Sequence, residues 1–131
     1  MARVAAVDPA ELFPQVLALP NVTHCRCRAE DAGPQLAAAL GGGGTDLLAC
    51  DMNSHPAEVV PIVKQLLSEL RPGGCLVFTL KFYGRGRVKE GWLESLKAEL
   101  GPEFAEGLRL LWLLANTNSE RTCVAVRRQP V

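Results

Sequence analysis

Four apolar segments of the chain lead into residues that can hold or exchange a proton. Arg3–Val7 runs into Asp8, Asn21–Arg28 leads to Glu30 and Asp31, Asp46–Cys50 runs into Asp51, and Cys75–Leu80 runs into Lys81. If each segment is a strand of one sheet, mostly parallel, their carboxyl ends share an edge, and ligands of such sheets bind beyond that edge. Three acidic positions and a lysine would then line one rim. A single acid after a strand is ordinarily a turn or helix cap; four ionisable ends in succession point to a site. A lysine in such a place can act as a general base where desolvation and neighbouring cations lower its pKa. Carboxylates beside it can orient its ammonium through charge-assisted hydrogen bonds.

The elements that must position these groups are legible as alternating strands and helices. Asp8-Pro9-Ala10-Glu11 has the form of a helix start, with an acidic cap, a proline in the first turn and a glutamate three residues on. The helix it predicts carries Leu12, Phe13, Val16 and Leu17, contains Pro14 and closes at Pro20. Gln35–Leu40 reads as a small helix, Gly41–Gly44 as a connector, and Asp46–Cys50 as a buried parallel strand. Val59, Val60, Ile62, Val63, Leu66, Leu67 and Leu70 fall on one helical stripe. Arg71-Pro72-Gly73-Gly74 then predicts a stop and a turn into the strand that ends at Lys81. Trp92, Leu93, Leu96 and Leu100 mark a further amphipathic helix. Leu108–Ala115 and Arg121–Arg127 read as two strands of an antiparallel hairpin joined by Asn116-Thr117-Asn118-Ser119.

At 131 residues the chain is expected to form one domain, residues 1–131, around one core. Fourteen basic and fourteen acidic residues cancel, so attraction to nucleic acid has to come from local clusters. The loop after Lys81 offers one, with Tyr83, Arg85, Arg87 and Lys89, and Arg121, Arg127 and Arg128 add charge near the chain end. These groups can contact phosphates and supply one stacking ring. The five cysteines are odd in number and three sit in apolar runs, which predicts buried thiols in a reducing, intracellular compartment, the cytoplasm foremost. Cys25-Arg26-Cys27 lacks a second pair and His24 and His55 lie far apart, so no metal site is expected. No apolar run reaches the ~18 to 20 residues that span a bilayer, and no partner membrane is expected.

The ordered combination carries a resemblance. Asp46-Leu47-Leu48-Ala49-Cys50-Asp51-Met52, a helix, Arg71-Pro72-Gly73-Gly74, a strand ending in Lys81, and Glu120 opening Ser119-Glu120-Arg121-Thr122-Cys123-Val124-Ala125 resemble the FtsJ-like (RrmJ-type) S-adenosylmethionine-dependent ribose 2′-O-methyltransferases. The Cys-Asp-Met form is similar to the branch acting on large-subunit ribosomal RNA. The resemblance implies an α/β fold, a Rossmann-like class I methyltransferase sheet, mostly parallel with a C-terminal antiparallel hairpin. It implies Lys81, Asp51 and Glu120 as catalytic residues and Asp8, Asp31 and Asp51 as contacts to the cofactor S-adenosyl-L-methionine. Asp8 would meet its ribose and Asp31 its adenine amino group, with Glu30 as the rival of Asp31. It also implies an RNA substrate, ribosomal RNA first, reached through Tyr83, Arg85 and Arg87.

The family pattern opens with a first strand, a Gly-x-Gly loop and another catalytic lysine, and these 131 residues contain a candidate for none of the three. Gly41–Gly44 follows a helix and opens a strand, the reverse of a cofactor-cradling loop. By the resemblance the first strand lies between the second and the fourth. Its absence predicts two unpaired strand edges, and hence a homo-oligomer, a partner chain over the gap, a rearranged sheet or poor stability. Two functions are expected, a truncated RNA 2′-O-methyltransferase or a catalytically inactive binding or regulatory subunit. A dinucleotide-binding domain is disfavoured because no glycine fingerprint follows a first strand.

Overall fold

The computed structural model describes residues 1–82 and 91–130. The chain divides into two compact units, Met1–Gly44 and Thr45–Val131.

In the first unit β1 (Val4–Val7) and β2 (Val22–Cys25) pair in parallel, with Val4 opposite Val22 and Val7 opposite Cys25. The helix expected from Asp8 starts later: α1 covers only Pro14–Leu17. Pro14 is ready-made for a first helical position, and its ring forces Phe13 into an extended conformation, φ −54° and ψ 140°, so no helix can run into it. Asp8 closes a local turn instead, its Oδ1 accepting the Ala10 N–H at 2.8 Å. A 3₁₀ turn (Ala29–Asp31) leads into α2 (Gly33–Leu40), which stops at Gly41 in the left-handed region, φ 66°. Cys25, Ala32 and Leu36 are the buried apolar residues of this unit.

The second unit contains β3 (Thr45–Cys50), α3 (Pro56–Leu66), β4 (Leu70–Lys81), α4 (Trp92–Leu100), α5 (Pro102–Ala105), β5 (Arg109–Leu111) and β6 (Glu120–Val126). Its sheet has the order β3-β4-β6-β5, with β3 parallel to β4 and the remaining pairs antiparallel. The C-terminal hairpin is present. Its first strand ends at Leu111 rather than Ala115, because the Asn116 side chain accepts the Leu113 N–H at 2.8 Å and turns the backbone away. Alternation along β4 and β6 sends Leu76, Phe78, Leu80, Cys123 and Ala125 to one face, where Val59, Val60 and Val63 of α3 and Leu96 and Leu100 of α4 cover them.

Two expectations need correction. β3 is parallel but not buried: among the described residues it pairs with β4 alone, and Leu47 on it is 55% exposed. Arg71-Pro72-Gly73-Gly74 is not a turn. A 3₁₀ turn (Leu67–Glu69) ends α3, and β4 begins at Leu70 and runs through the glycines. Their backbone extends the ladder to β6, Gly73 N–H donating to Arg127 O at 2.8 Å and Arg127 N–H to Gly74 O at 2.9 Å. A Cβ on Gly74 would sit 2.6 Å from Leu70 Cδ1 and 2.8 Å from Arg71 O. Gly74→Ala is therefore expected to lower stability by about 1–3 kcal/mol, read as a lower urea midpoint. An unchanged midpoint would show that the strand start relaxes at no cost.

All five cysteines are free thiols. Burial pushes the Cys123 thiol up from 9.0 to about 12, and desolvation raises Cys25 and Cys50 in the same direction. The unfolded chain therefore gives up the Cys123 proton at lower pH than the folded one. The contribution to stability is intact below about pH 9 and is lost as pH rises towards 12. Unfolding midpoints measured across that window should fall, and Cys123→Ala should flatten the decline; an equal slope in the variant would assign it to other groups. Among the described residues, no helix is long and apolar enough to cross a membrane.

Candidate active site

β3 and β4 lie side by side in parallel with Cys50 opposite Phe78, so their carboxyl ends emerge on the same edge. Asp51 is the residue after β3 and Lys81 the last of β4. The structure brings them into contact: Lys81 Nζ is 3.0 Å from Asp51 Oδ1 and donates to the Asp51 carbonyl at 3.4 Å. The side chain of Lys81 is only 12% exposed and that of Asp51 is 75% exposed. The amine is shielded while the carboxylate that holds it faces outward. An ammonium held between a carboxylate and a carbonyl has a fixed direction, which a solvated strand-end lysine lacks.

Glu120 opens β6 directly across from Lys81, the two Cα atoms being ladder partners. Its carboxylate accepts the Thr117 N–H at 3.0 Å, and its own N–H donates to Thr117 O at 3.1 Å. Phe82 N–H donates to Ser119 O at 2.8 Å and ties the ends of β4 and β6 together one step further on. The backbone beneath Lys81 is thereby tied to the start of β6.

Beside this edge stands a ring cluster that the sequence reading missed. Phe82 and Trp92 meet edge to face at 5.1 Å, and His55 packs against them at 6.3 and 6.4 Å. His55 Nδ1 accepts the Ala57 N–H at 3.2 Å and caps α3, with Pro56 in the first helical turn. In the sequence, a side chain that can accept standing just before Pro56 is the signal for this cap. Among the described residues, no three His, Cys, Asp or Glu side chains converge as a metal site would need.

The other expected residues fall as follows. Asp8, just after β1, and Asp31, in the 3₁₀ turn beyond β2, are both exposed within the first unit. Glu30 is engaged with Arg28, whose Nη2 lies 3.2 Å from Glu30 Oε1. The bond from its own backbone, followed by Arg28, holds its carboxyl below the usual range. Tyr83, Arg85, Arg87 and Lys89 lie outside the described residues. Arg127 and Arg128 are placed away from the Lys81 edge. Arg127 adjoins Gly74 at the opposite end of β4 and donates to Glu103 and to the carbonyls of Leu67 and Leu70, while Arg128 pairs with Glu106. Seven steps along the strand, on the order of 23 Å, separate Gly74 from Lys81. Both arginines staple the bottom of the sheet and are not part of this site.

The sequence matches no protein-family model and no curated protein. Solved structures do match. A chain of a fibrillarin/Nop5p complex superposes with a TM-score of 0.69 at 16% identity, covering 95% of this chain and 61% of that one. An rRNA methylase from Streptococcus thermophilus gives 0.62 at 14% identity, over 97% of this chain and 74% of the other. A methyltransferase-like protein from Streptococcus mutans in complex with SAH gives 0.54 at 16% identity, over 95% and 71%. The fold is that of the class I methyltransferases. The chain spans 61% of the length of the fibrillarin-complex chain it matches. In open α/β sheets generally, ligands bind beyond the carboxyl ends of the parallel strands, and here Asp51 and Lys81 stand at those ends.

Proposed function

We propose that this chain acts in S-adenosylmethionine-dependent methyl transfer to a ribose 2′-hydroxyl of RNA, ribosomal RNA first. The observation that carries the reading is the shielded Lys81 amine held 3.0 Å from Asp51 at the carboxyl ends of two adjacent parallel strands. A ribose hydroxyl is a poor nucleophile and must lose its proton as its oxygen attacks. Lys81 Nζ is the group placed to take that proton, and Asp51 steadies the ammonium that results. S-adenosylmethionine supplies an electrophilic methyl group on a sulfonium, which leaves as a neutral thioether when the new O–C bond forms. Much of the acceleration comes from holding hydroxyl and methyl in line. Glu120, across the ladder from Lys81, fixes the strand ends that aim the amine.

The cofactor's donors suit the exposed carboxylates of the first unit. Asp8 would accept from the ribose hydroxyls and Asp31 from the adenine amino group, Glu30 being already engaged with Arg28. A second reading, a catalytically inactive binding or regulatory subunit, has a specific observation behind it. The glycine run at residues 41–44 ends α2 and precedes β3, so this run is not a loop that leaves a strand and enters a helix. Calorimetric titration of the purified chain with S-adenosylmethionine separates the two. Methyl transfer requires binding that Asp8→Ala abolishes and Lys81→Ala retains. No binding by the folded chain would favour the regulatory reading.

A further inference from the structure

The turn between β5 and β6 presents an aromatic ring to solvent on a backbone that has no slack. Trp112 is 61% exposed, and Leu113 and Leu114 beside it are exposed as well. The turn is pinned from within. Asn116 Oδ1 accepts the Leu113 N–H at 2.8 Å and the Thr122 hydroxyl at 3.2 Å, Asn116 N–H donates to Leu113 O at 2.9 Å, and the Trp112 indole N–H donates to Asn116 O at 3.4 Å. An indole kept in water on a cross-braced turn forgoes the burial it would gain by folding back. Exposed apolar surface of this kind marks a contact site.

What lies over the ring identifies the ligand chemistry. The Arg121 guanidinium sits 4.8 Å from the Trp112 ring centroid, and its Nη1 donates to Asn118 O at 3.2 Å and to Glu120 O at 2.6 Å. The cation is therefore fixed on the aromatic before any ligand arrives. A flat π-system beside a fixed cation suits a group that is itself flat and linked to an anion. A nucleobase with its phosphate is such a group, and base stacking on aromatic side chains is how single strands are gripped without a sequence code. The exposed amide of Asn118 on the same turn can meet a base edge.

Position gives the site its role. Leu111 pairs with Thr122 and Lys81 with Glu120, so the ring stands beside the same end of the sheet as the amine. Two strand spacings, roughly 10 Å, separate β5 from β4. That spacing is between backbones. Arg121 is opposite Leu80 and Lys81 opposite Glu120, so the Arg121 and Lys81 side chains leave opposite faces at one end of the sheet. A single strand at roughly 3.4 Å per nucleotide would pass over that end to reach both.

We infer that Trp112, with Arg121 stacked on it, is a binding site for a base of single-stranded RNA flanking the ribose presented to Lys81. The inference rests on the methyl-transfer reading and names how its substrate is held. The test is binding of a fluorescent, mixed-sequence single-stranded RNA oligonucleotide to the full chain, measured by anisotropy, together with KM and kcat for methyl transfer to the same RNA. Wild type, Trp112→Ala, Trp112→Phe and Lys81→Ala are compared, with thermal unfolding confirming that each folds. Trp112→Ala should weaken binding by about 5- to 100-fold, raising KM far more than it lowers kcat, and Trp112→Phe should recover most of the loss. Lys81→Ala should bind RNA as wild type does. Wild-type binding by Trp112→Ala would overturn the inference while leaving the Lys81 reading standing. If that variant instead lost self-association in sedimentation, the patch would be a protein-docking surface, which also overturns it. No RNA binding by the wild type would sink this inference and the methyl-transfer reading together.

Discussion

Lys81→Ala is expected to lower kcat for RNA methylation by about 10²- to 10⁴-fold, the usual contribution of a positioned general base, with little change in affinity for RNA or S-adenosylmethionine. The argument is geometric. Lys81 is the last residue of a strand in mid-sheet, opposite Glu120 of β6, and Phe82 after it is bonded to Ser119, so its backbone is held by the start of β6. Its side chain is shielded and its amine is aimed by Asp51. Lys81→Arg separates charge from proton transfer, because a guanidinium stays protonated at any working pH and cannot serve as a base. The arginine variant should therefore be as slow as the alanine one. An arginine variant close to wild-type rate would mean that Lys81 contributes positive charge and not proton transfer. Asp51→Asn removes the charge that steadies the ammonium while keeping a hydrogen-bonding shape, and a smaller fall in kcat is expected from it.

The largest structural effect is expected from Phe78→Ala. Phe78 is fully buried at the centre of β4, between β3 and β6, on the face that α3 and α4 cover. Truncating a buried phenylalanine removes its transfer free energy and leaves a cavity that the close-packed neighbours fill only in part, at a cost of about 3–5 kcal/mol. A domain of this size has a total stability of about 5–15 kcal/mol, so the variant should lose a large part of its margin. Denaturant titration followed by fluorescence would show a much lower midpoint. Leu47→Ala is the control. Leu47 is 55% exposed on the edge strand, and its truncation should shift the midpoint far less. Equal losses at both positions would mean that the exposed side of β3 is covered in solution.

The parts of the fold that periodicity governs were legible in the sequence. The stripe through Val59, Val60 and Val63, the strand ending at Lys81 and the C-terminal hairpin all follow from local pattern and are present. Their limits were set by effects the pattern does not carry. The first helix shrinks to Pro14–Leu17 because a proline fixes the residue before it, overruling the capping signal at Asp8. Arg71-Pro72-Gly73-Gly74 looks like a turn until β6 is long enough to reach it, and that length depends on a partner far along the chain. The candidate site was legible where it depends on strand ends, at Asp51 and Lys81. It was not legible where it depends on side chains from distant segments meeting, as in the His55, Phe82 and Trp92 cluster or the Arg121 guanidinium on Trp112. Arg127 and Arg128 looked available for RNA because sequence shows a charge but not the carboxylates and carbonyls that occupy it.

The most direct test of the central claim is where a transferred methyl group ends up. The chain is incubated with methyl-labelled S-adenosylmethionine and ribosomal RNA, the RNA is digested to nucleosides, and the label is located by mass spectrometry. The arrangement of Lys81 and Asp51 predicts label on the ribose 2′-oxygen with wild type and its loss with Lys81→Ala. Label on a base, or ribose label undiminished in Lys81→Ala, would contradict it.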